Sequence, residues 1–116
     1  MRLRLELESS GRLHCELEDG TQNVAFSAYD GAASLAVLRA ASEDLRRDGV
    51  GECFWQMARG EYRLLFRRIE NDKVRLVVLW ANGTVTGWEH VFWTECPYPV
   101  WQLEVSRELA QTVALP

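Results

Sequence analysis

Hydrophobic and polar residues alternate at the start of the chain. In residues 2–8 every second position is leucine and the positions between are charged, and residues 12–18 repeat this pattern after an SSG turn. A period of two is typical of a strand that is buried on one side, so the two segments predict a hairpin. The apolar positions at 24, 26 and 28 predict a third strand after the EDG turn.

The next segment changes to a helical pattern. Asp30 can cap a helix start, the residues after it are rich in Ala and Leu, and Gly49 follows two arginines at the far end. These signals predict a helix over about 32–47. Alternating patterns separated by ARGE, ENDK and ANG then predict four further strands. Their expected bounds are about 51–58, 61–70, 73–81 and 84–94.

A second helix is predicted at the end of the chain. Pro97 and Pro99 stop the last strand, and proline is well tolerated in a first helical turn. An apolar stripe four residues apart follows: Trp101, Val105, Leu109 and Val113. The order βββ-α-ββββ-α predicts an α+β domain over residues 1–116, with an antiparallel sheet of about seven strands and both helices on one face.

Aromatic residues lie on both faces of this predicted sheet. Alternation places Cys53, Trp55 and Met57 on one side of their strand and Phe54 on the other. In the last strand the same rule places Val91 and Trp93 on one side and Trp88 and Phe92 on the other. Two helices cover only one face, so the second face is expected to expose aromatic area or to meet another chain.

Charge and cysteine usage restrict the class of function. The 116 residues carry a formal net charge of -4 with a pI near 5.2, which argues against a broad nucleic-acid-binding surface and suits a basic partner. The sequence contains neither a signal-peptide pattern nor an apolar run long enough for a membrane span. Three widely spaced cysteines without a C-x-x-C pair favour the cytoplasm over a disulfide framework or a zinc site.

The sequence offers little catalytic chemistry. Cys96 precedes a helix start, where backbone donors lower a thiol pKa, and His90 lies nearby in sequence. An extended strand would keep the two side chains far apart, so a small buried cysteine is the main alternative. No metal or cofactor motif is present, and no catalytic, metal or cofactor residue is assigned.

Two groups of charged residues are candidates for recognition. Arg63, Arg67 and Arg75 lie on adjoining predicted strands, where they form either an anion site or an ordinary solvated face. The second group is acidic and belongs to the first hairpin: Glu6, Glu16, Glu18 and Asp19. It is either a surface that steers a basic partner or the protective charge of an edge ribbon.

Several segments resemble a known family. GEYRLLFRR, VRLVVLW and VFWTECP, together with the helix of Trp101, Val105 and Leu109, resemble a widespread family of small uncharacterised bacterial proteins. The resemblance extends over most of the chain, and its motifs are structural. It implies a shared fold and a bacterial cytoplasmic origin. Small acidic proteins of this kind are often the immunity partners of secreted antibacterial toxins, an association by class alone.

The preferred hypothesis is therefore a non-enzymatic immunity-type protein that binds and occludes a toxin, without nucleic acid or membrane as partner. The expected binding residues are the four acidic residues above, which steer the encounter, and Trp55, Trp88 and His90, which anchor the complex. One alternative is a homodimeric scaffold domain whose second sheet face is buried by self-association. Another is an enzyme or small-ligand binder that uses Cys96, His90 and the arginines.

Overall fold

A computed structural model describes residues 1–83 and 87–113 of the chain, with the side chain of Val113 outside the described part. It contains seven strands and two helices in the predicted order. The strands are β1 (Arg2–Leu7), β2 (Leu13–Glu18), β3 (Asn23–Ala28), β4 (Val50–Met57), β5 (Gly60–Ile69), β6 (Lys73–Ala81) and β7 (Glu89–Pro97). The helices are α1 (Gly31–Asp48) and α2 (Tyr98–Val113).

The α+β class with antiparallel strands is confirmed, but the strands divide between two sheets. One sheet has the order β1-β2-β3 and the other β4-β5-β6-β7. Helix α1 separates β3 from β4 in sequence, and the two meanders do not form one continuous ladder. The predicted last strand began at about residue 84; residues 84–86 lie outside the described part, and β7 begins at Glu89.

Helix α1 is closed at both ends by the predicted residues. The Asp30 carboxylate accepts a hydrogen bond from the Ala33 N–H, and Gly49 adopts a left-handed conformation with φ 82° while its N–H donates to the Leu45 carbonyl. The helix lies close against β4 at Gly51. A Cβ built there would be 2.1 Å from the Ala41 carbonyl oxygen, so glycine permits this approach.

Strand β3 crosses the four-stranded sheet. At its start the Gln22 side-chain amide donates to the Trp93 carbonyl of β7, and at its end the Tyr29 N–H donates to the Gln56 carbonyl of β4. Between these points the Phe26 ring lies 5.5 Å from the Trp55 ring. The three-stranded sheet therefore packs on the same side of the four-stranded sheet as the helices.

Helix α2 covers the outer edge of β1. The backbone N–H of Leu5 donates to the Glu108 carboxylate at 2.8 Å, and that of Leu3 to the Glu104 carboxylate at 3.5 Å. On its other side the helix buries Trp101, whose ring is 5.5 Å from that of Phe66 in β5. One cluster of buried residues thus extends over both sheets and both helices.

Candidate functional site

The outward side of the four-stranded sheet is the candidate functional surface of the protein, and we call it the open face. Both helices and the three-stranded sheet contact residues on the opposite side, such as Gly51, Trp55 and Phe66. Four large apolar side chains on or beside the open face are substantially exposed: Val50 (50%), Phe54 (40%), Trp88 (37%) and Trp93 (47%). Its other outward positions, given by alternation and pairing, include Glu52, Glu61, Arg63, Leu65, Arg67, Arg75, Val77, Leu79, His90 and Glu95.

A β-bulge in the last strand turns His90, and Trp88 just before the strand, towards this face. Strand β7 pairs Phe92 with Val78 but His90 with Leu79, so Val91 has no partner in the ladder. The extra residue reverses the alternation, and His90 lies on the opposite side of the sheet from Phe92. The prediction that Trp88 shares a face with Phe92 is therefore wrong. Trp88, His90 and Trp93 belong to the outward side.

Trp88 reaches across the sheet and forms a stack with an arginine. Its ring lies 6.2 Å from that of Phe54, although Phe54 is on β4 and Trp88 precedes β7 at the opposite edge. The Arg63 guanidinium is 5.7 Å from the centre of each ring, and its Nη2 is 2.5 Å from a Glu52 oxygen. Leu79, between the two edges, is buried. The stack fixes an aromatic ridge on the open face.

An apolar row crosses the sheet beside this ridge. Strand pairing places Leu65 opposite Val77, and Val77 opposite Trp93. The backbone carbonyl of Trp93 accepts a hydrogen bond from the Gln22 side-chain amide. The turn between β2 and β3 therefore contacts the β7 edge from the inner side of the sheet. A half-exposed tryptophan on a held backbone presents a large apolar area at low entropic cost.

Two of the three arginines of the proposed anion site are already engaged in ion pairs. Arg63 is engaged in the stack with Glu52, and Arg75 is paired with Glu95 at 3.1 Å. Arg67 lies opposite Arg75 and forms no ion pair within residues 1–83 and 87–113. With two of the three charges already compensated, the arrangement does not make a site for a bound phosphate or carboxylate.

The acidic residues of the first hairpin share one face, but it is a mixed face. Glu16 pairs with Arg4 at 3.6 Å, Glu18 is opposite Arg2, and Glu6 is opposite His14. Each carboxylate thus has a basic neighbour, which weakens any long-range field directed at a basic partner.

Asp19 lies in the turn between β2 and β3 and has a structural role. Its carboxylate accepts hydrogen bonds from the Thr21 and Gln22 backbone N–H groups, both at 2.9 Å, and from the Gln22 side chain. These bonds, the Thr21 one foremost, hold the pKa of Asp19 well below its ordinary value. The carboxylate therefore shapes the turn that contacts β7.

Trp55 is not a surface anchor, and this part of the prediction is corrected. Its side chain is completely buried, with 0% exposure, and it packs against Phe26 in the core. The cause is the crossing of β3 over β4, which covers the inner side of the sheet. The exposed tryptophans of the strand region are Trp88 and Trp93.

The Cys96 and His90 arrangement is also absent from the fold. The bulge places His90 outward, whereas Cys96 points inward opposite the buried Val74, so the sheet separates the two side chains. Burial raises the pKa of Cys96 rather than lowering it, and burial likewise raises the pKa of Cys53 to about 12 and that of Cys15 still further. The described part of the chain thus holds no activated thiol of the kind that the sequence suggested.

Metal binding and membrane crossing have no support among the same residues. The described ranges contain no group of three or more His, Cys, Asp or Glu side chains positioned to hold a metal ion. Neither described helix combines the length and the apolar character needed to cross a membrane. The chain matches no protein-family model, no curated protein and no solved structure.

Sequence reasoning missed several residues of the open face. Phe54, Leu65 and Trp93 were not among the expected binding residues, although the alternation of Phe54 against Cys53 and Trp55 was a usable signal. The contact of Trp88 with Phe54 and Arg63 had no such signal, because Trp88 precedes β7 and meets β4 and β5 only through the tertiary fold.

Proposed function

We propose that this chain is a non-enzymatic protein-binding domain that acts through its open face. The observation that carries the proposal is the exposure of Phe54, Trp88 and Trp93 on a sheet side that both helices leave uncovered. Contiguous aromatic area rimmed by charged groups is typical of protein interfaces, where tryptophan and arginine contribute most of the binding energy.

More specifically, we propose an immunity-type role in the cytoplasm, in which the domain binds a toxin and blocks its active site. The net charge of -4 favours a basic partner, and three free cysteines support a reducing compartment. The resemblance to a family of small uncharacterised bacterial proteins supports the same role by class alone, since small acidic proteins of this kind are often immunity partners of toxins. In this proposal the aromatic ridge and Trp93 anchor the complex, while the hairpin carboxylates contribute only to the encounter.

A capture experiment tests the proposal. The tagged protein is expressed in its native host together with the neighbouring genes, and a partner is identified by mass spectrometry. We expect one stoichiometric partner whose capture is lost with Trp93→Ser and retained with Glu16→Gln on the first hairpin. Equal capture by the Trp93 variant would contradict use of the open face.

The immunity role has its own test. The purified partner is assayed for nuclease activity or cell killing with increasing amounts of this domain. We expect complete inhibition at an equimolar ratio, because occlusion is stoichiometric. A partner that binds but keeps its activity would agree with the protein-binding role and exclude the immunity role.

A further inference from the structure

Strand β5 carries an ordered series of charges along the open face. Its outward residues are Glu61, Arg63, Leu65 and Arg67 in that order. Arg63 is compensated by Glu52, whereas Glu61 contacts only the Gln56 amide, at 2.5 Å, and neither Glu61 nor Arg67 has an ion-pair partner among the described residues. A negative and a positive group therefore lie near opposite ends of the strand, roughly 20 Å apart at the usual rise of a strand.

This charge series is complementary to itself when it is reversed. A two-fold axis that lies between two facing sheets and runs across the strands places β5 antiparallel to β5 of the second copy. Glu61 then faces Arg67 of the second copy, and the same contact occurs a second time by symmetry. We infer that the open face binds the open face of a second copy of this chain. The inference rests on the proposed function, because both assign protein binding to the open face. It adds a second copy of the chain as an occupant of that face.

The apolar row lies at the centre of this arrangement. The axis passes between Arg63 and Leu65, so the row of Leu65, Val77 and Trp93 faces the row that contains Phe54, Arg63 and Leu79 in the second copy. Arg63 therefore also lies near the centre, where Glu52 already compensates its charge, while the unpaired charges lie towards the rim. An apolar centre within a polar rim is the usual anatomy of a specific interface.

The area of the open face indicates the range of affinity expected for the association of two copies. Four strands about 4.8 Å apart and four outward rows about 6.7 Å apart give roughly 500 Å² per copy. The total of about 1,000 Å² lies below the roughly 1,200–2,000 Å² of stable complexes and in the range of weak, transient ones, so we expect a dissociation constant of about 1–100 µM and rapid exchange. A heterologous partner that uses the same ridge would then have to compete with the second copy.

Charge reversal provides a sharp test. The association of purified protein is measured by sedimentation equilibrium from about 1 µM to about 1 mM, a range that spans the expected dissociation constant. Arg67→Glu places like charges opposite each other in a homodimer, and so does Glu61→Arg. Each variant alone is expected to associate at least about tenfold more weakly.

The decisive sample is an equimolar mixture of the two variants. In the mixed dimer both Glu61–Arg67 contacts are again attractive, one in the original sense and one reversed, so association is expected to return. Arg39→Glu, an equal charge change on the exposed side of α1, is the matched control and should dimerise as the unchanged protein does. Circular dichroism confirms that each variant is folded.

Two results would overturn the inference. Purely monomeric behaviour of the unchanged protein over the whole concentration range would exclude the second copy, and dimerisation that survives both reversals would place the contact elsewhere. In either case the proposed function is judged separately, by whether capture of a different protein still depends on Trp93.

Discussion

The tryptophans of this protein serve two separate purposes. Trp55 fills the space between the two sheets, whereas Trp93 stands on the open face at 47% exposure. We predict that Trp55→Ala lowers the free energy of unfolding by about 3–5 kcal/mol through the cavity it leaves. Trp93→Ser, as the surface control, should change it by about 1 kcal/mol or less. Urea denaturation measures both free energies of unfolding. Equal losses of stability in the two variants would contradict the assignment of Trp55 to the core and Trp93 to the surface.

The three thiols are expected to be equally inert. Burial disfavours the thiolate of Cys15, Cys53 and Cys96 by raising the pKa of each, so little of the reactive form exists at neutral pH. A disulfide-exchange reagent should modify all three slowly in the folded protein and quickly in denaturant. Fast, selective modification of Cys96 in the folded state would revive the enzyme hypothesis.

Asp19 links the stability of the β2–β3 turn to pH. Its pKa is lowered in the folded protein, so the unfolded chain takes up a proton first as the pH falls from neutrality. The stabilisation by this carboxylate is therefore present above the ordinary aspartate pKa of 3.8 and is lost progressively below it. We expect Asp19→Asn to lower the melting temperature at neutral pH and to approach the unchanged protein in acid. A difference that is constant with pH would show that the charge is unimportant.

Among the elements, α2 has an unusual relation to the sheet edge. The Glu108 carboxylate accepts the hydrogen bond that a neighbouring strand would otherwise accept from Leu5. Replacing Glu108 with Ala should leave a buried donor unsatisfied and cost about 1–3 kcal/mol. It should also expose β1 to pairing with other chains.

The conservative variant separates this role from general packing. Glu108→Gln keeps an acceptor oxygen, so we expect it to retain most of the stability in chemical denaturation and to remain free of aggregation. If the Gln variant were as unstable as the Ala variant, the carboxylate charge rather than its hydrogen bond would be responsible.

At the scale of the whole molecule, the centre of the four-stranded sheet combines backbone pairing on both sides with a buried inner face. Strands β5 and β6 have a hydrogen-bonded neighbour on each side, and β5 packs on both Phe26 and Trp101. Local opening is least favourable where burial and backbone pairing coincide. Native-state hydrogen exchange should therefore be slowest in β5 and β6, with faster exchange in the turn that contains Asp19. Slowest exchange in β1 would contradict this ranking.

Local sequence patterns account for the secondary-structure elements of the protein. The order of seven strands and two helices, the cap at Asp30 and the helix end at Gly49 follow from periodicity and from backbone preferences that act over a few residues. The expectation of a second sheet face with exposed aromatics followed from the same alternation.

The tertiary structure decided which aromatics those are. The division into two sheets, the covering of Trp55 by β3 and the bulge that turns His90 and Trp88 outward depend on contacts between segments distant in the chain. An extra residue in one strand changes the side of every residue beyond it, and no local preference specifies it. The open face, and with it the proposed function, is therefore a property of the packed molecule.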